Sequence, residues 1–154
     1  VAERLSEKDP ARAAVYKANA AKAKEQLGAL ARELEASLKP VAGRPYVVFH
    51  DAYQYFEARF GLTPVGAVTV NPEVPPSGKR LSSLREKIQK LGASCIFSEP
   101  NFEAKVVKVL SEGTQTRTSQ LDPEAAMLVP GADLYPTLMR SMAQSMRSCL
   151  LPAS

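Results

Sequence analysis

Tyr46-Val-Val-Phe-His-Asp-Ala-Tyr-Gln-Tyr-Phe-Glu-Ala-Arg-Phe-Gly61 is the stretch that decides the fold. Its first four residues form a short apolar run, which suits a strand buried on both faces. His50 and Asp51 follow, and Ala52–Phe60 then shows helical spacing closed by Gly61. The same order repeats along the chain. Val65–Val70 reads as a strand, and Leu81–Leu91 as an amphipathic helix through Leu81, Leu84, Ile88 and Leu91, ended by Gly92. Cys95–Phe97 is a third strand, followed by a helix over Phe102–Leu110 ended by Gly113. Thr116–Leu121 is a fourth, partly polar and suited to an edge, and Leu134–Leu150 is the last helix. The loop at 71–78, rich in Pro and ending in Gly, and the stretch Asp122–Asp133 are the longest connections. Four strand–helix alternations predict an α/β fold: a four-stranded parallel sheet with helices on both faces.

Working outward, residues 1–9 are polar and charged, and Asp9 before Pro10 reads as the start of a helix. Pro10–Leu38 is rich in Ala, Lys, Glu, Leu and Arg, all good helix formers. Tyr16, Ala20, Ala23, Leu27, Leu30, Leu34 and Leu38 recur at steps of three or four and make one apolar stripe; Pro40 stops the helix. Such a helix is about 44 Å long, more than the ~30 Å that crosses a small domain. Its far end is expected to rest on something outside this chain. A coiled coil is the alternative, although only Leu27–Leu38 has bulky residues at the seam.

The chain has 154 residues, 45% of them hydrophobic and 23% charged. These proportions are ordinary for one globular domain and exclude disorder as the main state. No apolar run approaches the ~20 residues of a membrane-spanning helix. Net charge is +4 with a pI near 9.1. Without a dense Lys/Arg cluster, that mild basicity predicts no nucleic-acid partner. The chain opens at Val1 with no Met and no signal peptide, as expected of a fragment or a processed product.

In a parallel sheet every strand ends at the same edge, and open α/β sheets bind ligands beyond those ends. The residues just past the four expected strand ends are His50, Asn71, Glu99 and Asp122. All four can ligate or polarise, and His50 is the only His in the chain. Each has a plainer reading. His50 can be a neutral, hydrogen-bonded His. Asp51 reads as an N-cap of the helix from Ala52. Glu99 precedes Pro100, and Asp122 precedes Pro123, so both suit turns. Ser98 and Asn71 read as structural.

Phosphate loops, dinucleotide fingerprints, a Gly-x-Ser-x-Gly elbow and a His-Glu-x-x-His pattern are all absent. One His and two Cys cannot build a four-ligand zinc finger. Cys95 opens its strand and so lies at the opposite edge from His50, which disfavours a Cys–His nucleophile. Cys149 lies near the end of the last helix. A helix returning antiparallel to a strand brings its end to the strand's start, so the two sulfurs can meet. A disulfide there closes a loop of about 55 residues, worth roughly 4 kcal/mol in the chain-entropy model, and implies an oxidising compartment. Two buried free thiols are the alternative.

Several motifs together carry a family resemblance. Phe49-His-Asp-Ala-Tyr-Gln-Tyr-Phe56, Phe60-Gly-Leu-Thr-Pro64, Val68-Thr-Val-Asn-Pro-Glu73, Ser94-Cys-Ile-Phe-Ser-Glu-Pro100, Leu121-Asp-Pro123 and Ser148-Cys-Leu150 occur in one order across residues 46–150. They resemble the periplasmic zinc-uptake receptors of bacterial ABC transporters, and the long first helix resembles that family's rigid connecting helix. The resemblance implies two α/β lobes joined by the helix, with one Zn²⁺ held between them and delivered to a membrane permease. This chain is then expected to be the connecting helix (residues 1–40) plus the C-terminal lobe (residues 41–154), without the N-terminal lobe.

By the resemblance His50 is a zinc ligand, and Asp122 completes the site in some members. Glu99 supports the site rather than ligating, and Cys95 and Cys149 match a disulfide pair. A Glu at the position of His50 would suit manganese-type relatives; His favours zinc. Weak zinc binding is expected of the isolated chain. It should fall on acidification, because imidazole must be neutral to ligate. The competing readings are a small α/β enzyme using His50 with Glu99 or Asp122, and a flavodoxin-like signalling domain. The first lacks a nucleophile or cofactor loop, and the second usually carries an acidic cluster at the strand ends.

Overall fold

The computed structural model describes residues 1–71, 74–102 and 105–151. Pro72 and Glu73 of the expected 71–78 loop lie outside the described residues. So do Glu103 and Ala104, near the start of the helix expected from Phe102. The chain divides into two compact units, Val1–Glu33 and Leu34–Ser154.

In the first unit a short helix α1 (Ala2–Lys8) precedes a 3-10 turn (Pro10–Arg12), and α2 (Ala13–Leu38) follows. Helix α1 was not expected from the sequence, where Asp9-Pro10 reads only as a start. Asp9 ends one helix and begins the next turn, outside the helical conformation that a following proline disfavours. Its carboxylate makes no cap bond; instead it accepts from the Tyr16 hydroxyl at 3.0 Å. The apolar stripe is uneven in burial. Leu27 is 47% exposed, whereas Leu34 and Leu38, in the second unit, are fully buried.

The second unit carries strands β1 (Pro45–His50), β2 (Thr63–Thr69), β3 (Cys95–Ser98) and β4 (Arg117–Gln120). They form one parallel sheet in the order β2-β1-β3-β4. Helices α3 (Gln54–Phe60), α4 (Gly78–Leu91), α5 (Lys105–Ser111) and α6 (Leu134–Leu150) complete it. Strand β1 is buried from Tyr46 to Phe49, as its continuous apolar run requires. Strand β4 lies at an edge and alternates half-buried with exposed residues, as its polar sequence suggests. Pro64 can donate nothing to a ladder; it lies on the other edge strand, where the register slips beside Tyr46.

Alternation along the strands sorts side chains to two faces. On one face Val47, Phe49, Val68 and Ile96 pack with Leu84 and Ile88 of α4 and with Val107 and Leu110 of α5. On the other, Tyr46 meets Phe97 edge to face at 5.7 Å and hydrogen-bonds Glu57 of α3. Cys95, also on this face, is joined to Cys149 of α6, with Cα atoms 5.9 Å apart. Helices therefore cover both faces of the sheet, and the sulfurs take the bonded alternative. The Arg44 guanidinium donates to the Leu150 carbonyl at 3.2 Å and holds the end of α6 beside β1.

The starts of α3 and α4 also differ from the sequence reading, and Phe102, read as the start of the next helix, lies in a bend before α5. Helix α4 begins at Gly78, because the Ser77 hydroxyl accepts from the Arg80 amide at 3.3 Å and caps it. Helix α3 begins at Gln54 rather than Ala52, with Tyr53 and not Asp51 at the capping position. The Ala52 amide turns back onto the His50 carbonyl at 3.0 Å, which keeps Asp51 and Ala52 outside the helix. Gly61 closes α3 in the left-handed conformation (φ 65°) that glycine adopts without a Cβ penalty.

Candidate metal centre

The strand order locates the site. The chain runs from β1 to β2 on one side, then crosses to β3 on the other. The order reverses between β1 and β3, and open α/β sheets hold ligands beyond the carboxyl ends of the strands at such a point. His50 is the last residue of β1, and Glu99 directly follows β3. The two are 49 residues apart in sequence and meet at this point: His50 Nδ1 lies 2.8 Å from Glu99 Oε1.

A carboxylate can only accept a hydrogen bond, so the imidazole donates from Nδ1. In the neutral ring the lone pair is then on Nε2, the other end of the imidazole. Glu99 is 4% exposed, and the His50 side chain 20%. The acid is thus sealed behind the ring while the ring keeps an outlet to solvent. The Tyr53 hydroxyl donates to the same Oε1 at 2.8 Å. Phe102 meets the imidazole edge to face at 6.1 Å and stacks on Phe49 at 4.9 Å. Burial, the hydrogen bond to Glu99 and nearby negative charge push the Tyr53 phenol far above its ordinary range, so it remains a donor at every physiological pH.

Asp122 sits in the loop after β4 and behaves as the turn residue that its Asp-Pro context suggested. Oδ1 accepts from the Ala126 amide and Oδ2 from the Met127 amide, both at 3.0 Å. The turn it organises contains Ala125 at positive φ (57°), an uncommon conformation for a residue with a side chain. Asp122 follows the carboxyl end of β4, on the sheet edge that also carries His50 and Glu99, and it adds to the negative charge felt by Tyr53. The Asn71 carbonyl accepts from the Thr69 hydroxyl at 2.6 Å, and Ser98 donates to the Ser119 carbonyl at 3.2 Å, both local structural bonds.

Of the four sequence candidates, the fold therefore brings His50 and Glu99 into contact. Among the described residues no group of three or more His, Cys, Asp or Glu converges on one point. Sequence reasoning missed Tyr53 as Glu99's second donor, and also the buried pair beneath it, Tyr46–Glu57, whose oxygens are 2.8 Å apart. A signal for both was present: Tyr53, Glu57 and Phe60 recur at steps of four and three, so they share the inward face of α3.

Residues 1–149 match the family model described as zinc-uptake complex component A, periplasmic. The high-affinity zinc uptake system protein ZnuA of Brucella abortus (strain 2308) is 51% identical over 150 residues, covering 97% of this chain and 45% of the relative. A crystal structure of ZnuA superposes with a TM-score of 0.81 at 25% identity, over 97% of this chain and 53% of the other. The crystal structure of a 138-173 ZnuA deletion mutant with zinc bound gives a TM-score of 0.77 at 25% identity, over 99% and 55%. The chain spans about half the length of the curated relatives it matches. Those relatives are named for zinc uptake, a transport role rather than a catalytic one.

Proposed function

The chain belongs to the family of periplasmic zinc-uptake complex component A, and from that membership we propose that it forms one lobe of a zinc receptor serving an ABC-type importer. In this reading His50 presents Nε2 to Zn²⁺ beyond the carboxyl ends of β1 and β3. Glu99 holds the ring from behind. Asp122, on the same edge and with lone pairs left on its carboxylate, is the second contribution of the lobe. The remaining ligands come from the half of the receptor that this chain does not span. Residues 1–40 serve as the connecting helix, and the loaded receptor hands its zinc to a membrane permease.

The observation that carries the reading is the His50–Glu99 contact. Metal-ligating histidines almost always donate their other ring nitrogen to a carboxylate, carbonyl or water, and that bond sets tautomer and orientation. Imidazole suits zinc, which seeks about four N, S or O ligands. The Cys95–Cys149 disulfide fits an oxidising compartment such as the periplasm.

The test is a zinc titration against a competing chelator, with wild type and His50→Ala side by side. Weak binding that vanishes in the variant supports the half-site. Equal affinity in the two proteins would remove His50 from the account.

A further inference from the structure

Two tyrosine–glutamate hydrogen bonds anchor α3 one turn apart, and only one of them touches the imidazole. Tyr46 of β1 donates to Glu57 at 2.8 Å, and Tyr53, at the head of α3, donates to Glu99 at 2.8 Å. The two tyrosines are alike in burial, at 0% and 2% exposed. Their consequences differ. Glu57 has no bond to His50, whereas Glu99 Oε1 receives the Tyr53 hydroxyl and His50 Nδ1 together. A carboxylate bonded by the ring alone can turn about its last torsion, because terminal sp³–sp² torsions are broad. A second donor on the same oxygen removes that freedom.

We propose that Tyr53 is a positioning residue for metal capture: it locks the Glu99 carboxylate so that His50 is held as the Nδ1–H tautomer with Nε2 facing out. Tyr53 touches no metal in this account; it acts through Glu99. The geometry supports this on three counts. Both donors meet on one oxygen. Tyr53 is fixed by its place at the head of α3, where its carbonyl accepts the first helical bond, from the Glu57 amide at 2.9 Å. The Tyr53 and His50 rings also lie 6.3 Å apart and tilted by 54°, so the phenol reaches past the imidazole edge to the acid. The inference deepens the reading of His50 as the zinc ligand and rests on it for its functional meaning, although the tautomer itself does not depend on zinc.

The chain contains a single His, so its imidazole nitrogen resonances need no assignment. The experiment is ¹⁵N NMR of the metal-free chain at mildly alkaline pH, with Tyr53→Phe and Tyr46→Phe compared. Each variant removes one buried hydroxyl from a buried glutamate. Wild type and Tyr46→Phe should both show the Nδ1–H tautomer. Tyr53→Phe should show a mixture with Nε2–H, the form free histidine prefers in water. Zinc affinity, measured by chelator competition, should fall by about tenfold in Tyr53→Phe, the lower end for outer partners of a ligating His. It should stay within about twofold of wild type in Tyr46→Phe. A wild-type tautomer in Tyr53→Phe, or an equal shift in both variants, overturns the proposal. The expected tautomer shift with no zinc bound by any of the three proteins would uphold the positioning role and reject the zinc reading.

Discussion

His50 ends β1, Glu99 directly follows the neighbouring parallel strand β3, and the two are joined by one hydrogen bond, Nδ1 to Oε1 at 2.8 Å. Removing the acid therefore affects two buried or half-buried donors at once, the His50 ring and the Tyr53 hydroxyl. Glu99→Ala should lower stability by about 1–3 kcal/mol, the range for leaving a buried partner unsatisfied. It should also weaken zinc binding by roughly 10- to 100-fold. Urea unfolding checks the first effect and chelator competition the second. A variant with normal zinc affinity would show that the acid does not support the ligand.

Glu57 makes a separate prediction about pH. Burial raises its carboxyl above the ordinary 4.5, the Tyr46 hydroxyl opposes the rise, and Asp51 adds to it. The folded state then holds the proton more tightly than the unfolded chain. Its contribution to stability is fully present below the unfolded value and is lost as pH rises through the higher folded one. Glu57→Gln keeps an oxygen for Tyr46 but cannot ionise. Relative to wild type, the variant's unfolding free energy should thus climb as buffer goes from acidic to mildly alkaline. Parallel pH profiles for the two proteins would contradict the buried charge.

The disulfide fastens the start of β3 to α6, across a sequence separation of 54 residues. Its loss should be costly, because the bond restricts the unfolded chain. Cys149→Ser should cost about 2–5 kcal/mol. Reductant should lower the melting temperature of wild type and leave the variant unchanged. Equal melting temperatures for oxidised and reduced wild type would remove the bond from the stability account.

Asp122 has one observed duty, in its turn, and one proposed duty, toward zinc. As a turn residue it accepts from the Ala126 and Met127 amides. Replacing it with Ala removes both bonds, at about 1 kcal/mol each. Asp122→Asn keeps one accepting oxygen and removes the charge. If the carboxylate also faces zinc, Asp122→Asn should weaken zinc binding while retaining about half of the stability that Asp122→Ala loses. Unchanged zinc affinity in Asp122→Asn would confine the residue to its turn.

Much of this was legible in the sequence, for physical reasons that also explain the rest. The apolar run Tyr46–Phe49 and the helical spacing after it are local signals, and the alternation they begin gives the parallel sheet. His50 was legible because a strand's end follows from the strand alone. That Glu99 supports it was legible through the family resemblance but not from local pattern, because the adjacency of β1 and β3 is a non-local pairing. Asp51 reads as a helix cap by type, but the tight turn at Ala52 and the anchored Tyr53 outweigh that preference and start α3 later. Helix α1 was hidden because Asp9-Pro10 signals a start equally well whether or not another helix ends there. Glu57 sat in plain view on the inward face of α3; a polar residue there asks for a buried partner, and Tyr46 provides it.

The most direct test of the central claim is anomalous diffraction at the zinc edge from crystals of the zinc-loaded protein. The account predicts a peak about 2.0–2.1 Å from His50 Nε2, with Nδ1 still bonded to Glu99. Zinc bound through Nδ1, or held at a site without His50, would contradict it.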